Sequence, residues 1–149
     1  MKEGSDVPSK NVKIEQKVKY SVEEADCLFG GMNSVSDEFR LLIAEALSRI
    51  PRKEADWAAE NVAFFSSSFR EYAFTLNPRD WKHKVGLIFL DESLKEKDED
   101  GQIFMVLHEI AHNRLKHKSP IFCKLSQEDT DKQEKEADAL AQKWLRKNA

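Results

Sequence analysis

Cysteine is scarce in this chain. Cys27 and Cys123 stand far apart with no CxxC spacing, which argues against a disulfide framework and for a reducing compartment. Glycine and proline are also few, 5 and 4 in 149 residues, so collagen-like and low-complexity classes are excluded. No apolar run approaches the roughly 18 residues that a membrane-crossing helix needs. Met1 to Lys10 lack the apolar centre of a signal peptide. Neither sign of charge dominates: 24 basic against 27 acidic residues leave a net charge of -3, with no bulk attraction for nucleic acid or an anionic membrane. The expectation is a soluble, cytosolic protein without a nucleic-acid or membrane partner. What is present is a chain 40% hydrophobic and 34% charged, long enough for one modest core and too short for two.

The polar stretch 1–11 reads as a loose tail and 12–149 as a single domain. Val12, Ile14, Val18 and Tyr20 alternate, which suggests a strand; a lysine-rich arm is the alternative. Gly30-Gly31 marks a turn. Ser36 can cap a helix whose first turn holds Asp37 and Glu38, followed by a stripe of Phe39, Leu42, Ile43, Ala46, Leu47 and Ile50. Pro51 ends that helix or starts another that carries Trp57, Ala58 and Val62 inward. Ser66-Ser67-Ser68 is punctuation, Phe69 to Leu76 a strand, and Asn77-Pro78-Arg79-Asp80 a turn. Val85 to Leu90 is a short apolar run, typical of a covered strand. Asp91 to Asp100 reads as a charged surface helix or loop. A helix from near Gly101 is apolar on almost every side, through Ile103, Phe104, Val106, Leu107, Ile110, Ala111 and Leu115, and is therefore central. The last helix is predicted from about Thr130 to Lys147, with Ala137, Leu140, Ala141, Trp144 and Leu145 inward.

Chemistry concentrates on the central helix. Three of the four histidines lie between His108 and His117, and two of them form His108-Glu109-Ile110-Ala111-His112. Residues four apart share a helical face, so both imidazoles can address one ion. Glu109 is rotated by roughly 100° from His108, close enough to hold a water beside that ion. This is HExxH geometry, with two zinc ligands and one general base. Chance would supply the pattern in about 1% of shuffled sequences of this composition. Two surface histidines are the bland reading, but the apolar neighbours argue for burial, and buried imidazoles need partners.

A catalytic zinc needs a third protein ligand and an open position. The metzincin pattern is excluded, because its histidine and glycine positions hold Lys118 and Leu115. A glutamate from the last helix remains, among Glu128, Glu134 and Glu136, with Asp131 and Asp138 nearby. Glu134 and Asp138 share a face, so one can bind the ion while the other accepts a hydrogen bond from a ligating histidine. Glu136 is the competing ligand; it lies about 200° from Glu134, so only one of the two faces the site. Small Ala137 and Ala141 would let the two helices approach closely. A merely solvated acidic face is the remaining alternative.

His108-Glu109-Ile110-Ala111-His112 followed by Glu134-x-x-Ala137-Asp138 resembles the gluzincin peptidases, whose pattern is HExxH with ExxxD or ExxAD. The soluble single-domain form is similar to minimal gluzincins and ImmA/IrrE-type metallopeptidase domains. The resemblance spans roughly Val85 to Ala141 and departs at Leu140-Ala141, where ImmA/IrrE-type chains commonly carry Phe-Ala. It implies an α+β, zincin-like domain, a small sheet packed on a central HExxH helix, with a C-terminal helix bringing the third ligand. It also implies Zn2+ held by His108, His112 and Glu134, with Asp138 behind a histidine and Glu109 as the catalytic base.

The implied activity is zinc-dependent hydrolysis of a peptide or protein substrate; the rival reading is a catalytically silent zinc-binding module, against which Glu109 speaks. Tyr72, His83 and His117 are chemically able to stabilise a transition state, but each reads as structural, with His117 off the ligand face if the helix continues. If Val85 to Leu90 is an edge strand, an extended peptide could pair with it; an internal strand is the alternative. Lys82, Lys84, Arg114, Lys116 and Lys118 read as a solvated rim to the cleft.

Overall fold

The computed structural model describes residues 20–21, 23–24, 35–68, 72–78, 84–120 and 122–147. The expectations for the 1–11 tail, the 12–19 part of the first strand, Gly30-Gly31, the 69–71 part of the strand read over Phe69 to Leu76, Arg79-Asp80, Lys82 and His83 lie outside them. Within the described residues the architecture is α+β: four α-helices and a three-stranded sheet.

Ser36 caps the first helix, α1 (Asp37–Ser48), its hydroxyl accepting from the Phe39 amide at 3.3 Å. Phe39, Ile43, Ala46 and Leu47 fill the core from its inner face. Pro51 starts the next helix, α2 (Arg52–Asn61), where its fixed φ and missing N–H are harmless. Val62 does not continue this helix. It opens β1 (Val62–Ser67), so two of the three serines read as punctuation belong to a strand.

Strand β2 covers Ala73–Leu76 and β3 covers Gly86–Asp91. The order is β1-β3-β2, with β1 parallel and β2 antiparallel to β3. Strand β3 is therefore the centre of the sheet. Its amides and carbonyls are engaged on both sides, so the expected pairing of a peptide along Val85 to Leu90 is corrected. Ile88 and Leu90 point from β3 into the core, both fully buried. On the other face Phe89 stacks between Phe65 and Phe74, at 5.5 and 4.6 Å between ring centres.

The charged stretch after β3 is a 3-10 turn, Glu92–Glu96, capped by buried Asp91, which accepts from the amide and hydroxyl of Ser93. Asp98 then caps α3 (Glu99–Arg114) through the Gly101 amide at 2.9 Å. Helix α3 is central, as its all-round apolar pattern predicts: Val106, Leu107, Ile110 and Ala111 are fully buried. The last helix, α4, runs over Gln127–Lys147. It starts about a turn earlier than predicted because Ser126 caps it: the Ser126 hydroxyl accepts from the Asp129 amide and donates to the Asp129 carboxylate.

Gly86 sets how closely β3 and α3 approach. A Cβ there would lie 1.9 Å from Oδ1 and 2.8 Å from Cγ of Asn113. Asn113 is itself buried and donates to the Thr75 hydroxyl of β2, so it has little freedom to withdraw. Gly86→Ala is expected to cost about 1–3 kcal/mol as an overpacking change, measured as a lowered urea midpoint with an unchanged slope.

Candidate metal centre

Helix α3 delivers His108, Glu109 and His112 within one turn and a half, all of them buried. Burial of the histidines, expected from their apolar neighbours, is borne out. Helix α4 crosses close by because Ala137 and Ala141, both fully buried, present no bulk to α3.

The crossing brings Glu134 over the two histidines. Its Oε2 lies 3.2 Å from His108 Nε2 and its Oε1 lies 3.3 Å from His112 Nε2. The two Nε2 atoms stand 3.0 Å apart. These three side chains offer ligand atoms within 4.8 Å of one another. Glu136, the competing candidate, points elsewhere: its Oε2 meets His117 Nε2 at 3.0 Å. Glu128 and Asp131 line a separate hollow with Glu136 on the outer side of α4.

The far nitrogens define the chemistry of the near ones. His108 Nδ1 meets Asp138 Oδ1 at 2.8 Å, a contact that places a proton on Nδ1 and leaves Nε2 as a lone-pair donor. His112 Nδ1 is likewise engaged, by His117 Nδ1 at 2.8 Å. Burial first, then the neighbouring His108 and His117, pushes the His112 imidazole down to about 3, so at neutral pH it offers a lone pair rather than a positive charge. Two imidazole Nε2 atoms and a carboxylate thus converge on one point, and each can offer a lone pair to a cation placed there. The donor set, two imidazoles and one carboxylate, could hold a metal ion.

These three side chains line a cleft of about 430 Å³. Its floor is His108, Glu109 and His112; one wall is Ala73, Phe74 and Thr75 of β2, and the other is Ser119, Pro120 and Leu125 between α3 and α4. Of the basic residues expected at the rim, Lys118 lines this cleft. Arg114 and Lys116 do not; they line a different hollow with Trp57. Arg114 donates from Nε to Glu54 at 2.9 Å and lies over the Trp57 ring, tying the end of α3 to α2. Tyr72 carries Lys97 against its ring at 4.3 Å and is absent from the cleft lining.

His117 is the residue whose place the sequence reading missed. Helix α3 ends at Arg114, and Lys116 adopts a left-handed φ of 57°, which turns the chain back so that His117 packs against His112. Pro120 ends the region in the sequence, but the residue it restrains is Ser119, and the turn at Lys116 carries no signal of its own.

Residues 101–149 match the family model described as Peptidase U49, a stretch that includes His108, Glu109, His112, Glu134 and Asp138. The match supports a peptidase family. No curated protein and no solved structure matches the chain. No helix among the described residues is long and apolar enough to cross a membrane.

Proposed function

We propose that this protein is a zinc-dependent endopeptidase of the gluzincin kind, with His108, His112 and Glu134 as metal ligands and Glu109 as the general base. The observation that carries the reading is the convergence of two imidazole Nε2 atoms and the Glu134 carboxylate on one point at the floor of an open cleft, with Glu109 in the same floor. Bound there, zinc would act as a Lewis acid and lower the pKa of a coordinated water towards roughly 7.

The protein's own residues then have distinct tasks. Glu109 takes the proton of the attacking water and passes it to the departing amine. Asp138 accepts from His108 Nδ1 and holds that ring in its ligating orientation. Among the described residues β2 is the edge strand on the cleft side, so an extended substrate pairs with β2 rather than with central β3. Phe74, Met105 and Leu125 give the cleft apolar surface for substrate side chains.

Elemental analysis of purified, zinc-supplemented protein is expected to find one zinc per chain. The loaded protein is expected to cut an unfolded protein substrate, to lose cleavage on chelation and to regain it on readdition of zinc. Stoichiometric zinc without cleavage of any tested polypeptide would favour the silent zinc-binding module. Absence of zinc would remove both readings.

A further inference from the structure

The centre is built asymmetrically. At Nδ1, His108 meets a carboxylate directly, that of Asp138 at 2.8 Å, whereas the Nδ1 of His112 reaches one only through a third imidazole: His112 Nδ1 to His117 Nδ1 at 2.8 Å, then His117 Nε2 to Glu136 Oε2 at 3.0 Å. We propose that His117 and Glu136 are a positioning relay for the metal, fixing the tautomer and ring plane of His112; the proposal rests on the zinc reading above.

Proton counting leaves one arrangement. Two ring nitrogens at hydrogen-bond distance share one proton, so one donates and the other accepts. A metal on His112 Nε2 requires that nitrogen's lone pair and sends the His112 proton to Nδ1. His117 Nδ1 must then be the acceptor. Its own proton lies on Nε2, where the Glu136 carboxylate accepts it. The reverse order would put the His112 proton on Nε2 and block the metal. Through His117 the negative charge of Glu136 makes His112 a better donor to the ion, as Asp138 does for His108.

The surroundings hold His117 in this place from several sides. Its amide donates to the His112 carbonyl at 3.1 Å, and its carbonyl accepts from the Asn77 amide group. The next residue, Lys118, is clamped at both backbone groups by the Gln133 side chain of α4, at 2.8 and 3.0 Å. The ring is 7% exposed, so its two nitrogens have little access to water as an alternative partner. Spacing on α4 completes the arrangement: Glu134 and Asp138 share one face, and Glu136, turned away from them, meets the one imidazole that lies beyond His112.

Zinc affinity of the full chain, read by competition with a chelating dye, tests the relay. His117→Leu is expected to bind zinc about 10–100-fold more weakly, the range for losing such a partner. His117→Asn, whose Oδ1 falls near the position of Nδ1 and can accept from His112, is expected to recover much of that loss. Glu136→Ala, at a half-exposed position outside the core, is expected to weaken binding by up to about tenfold.

Nitrogen-15 spectra of the unmutated, zinc-loaded protein are expected to show a His112 ring N–H coupled through the hydrogen bond to a second imidazole nitrogen. The coupling should vanish in His117→Asn and persist in Glu136→Ala. A folded His117→Leu with parental zinc affinity, or a loaded parent without the coupling, would overturn the relay and leave the zinc site standing. If His117→Leu fails to fold, Glu136→Ala and the parental spectrum decide: undiminished affinity in the former or a missing coupling in the latter overturns the proposal. A parent that takes up no zinc overturns the site and the relay together.

Discussion

Glu109→Gln is expected to keep its metal and lose its cleavage, with turnover falling by about 10²–10⁴-fold, the usual contribution of a general base. The reasoning is local. Glutamine has the shape of glutamate, and the position is only 5% exposed, so packing and the cleft floor survive. None of His108, His112 and Glu134 is altered, and zinc stoichiometry should stay at the parental value. What disappears is a carboxylate able to take a proton and return it. Turnover and metal content measured on one preparation separate this outcome from unfolding. Unchanged cleavage would remove Glu109 from the mechanism.

The second large effect concerns the two glutamates that the sequence left in competition. Glu134→Ala is expected to weaken zinc binding by roughly a hundredfold or more. In zinc-finger peptides, where four protein ligands share about 10–16 kcal/mol, each ligand carries about 3 kcal/mol, and the same scale applies to one of the three ligands proposed here. Glu136→Ala should fall well short of that, because Glu136 Oε2 reaches His117 and not the convergence point. The comparison is clean, since both side chains are about half exposed and neither supports the core. The opposite ranking would make Glu136 the ligand.

Much of this was legible because it is periodic and local. The all-round apolar pattern around Val106, Leu107, Ile110 and Ala111 specifies a buried helix wherever its partners lie, and four-residue spacing puts His108 beside His112 without reference to the rest of the chain. The same spacing joins Glu134 to Asp138, and the crossing of α3 and α4 brings both to the histidines. Strand β1 was lost because Val62 continues the helical stripe of Ala58, while Ser66 and Ser67 carry no strand signal of their own. They are extended because they pair with Leu90 and Asp91, far along the chain. The central place of β3 is a fact of the same non-local kind. A continuous apolar run says that a strand is covered on its faces and nothing of how many neighbours share its hydrogen bonds. His117 depended on a left-handed backbone at Lys116, a conformation that lysine does not advertise.

Helix α4 contributes Glu134, Glu136 and Asp138 over 21 residues, yet buries only Ala137, Ala141 and Trp144. Two of those three are alanines, so hydrophobic adhesion between this element and its neighbours is thin for its length. A divalent ion bridging α3 to α4 would therefore also act as a fastener, and its release would loosen α4 before the packing of α1 on α3 gave way. Catalytic competence and local rigidity would then rise and fall as one quantity, set by how much free zinc surrounds the molecule.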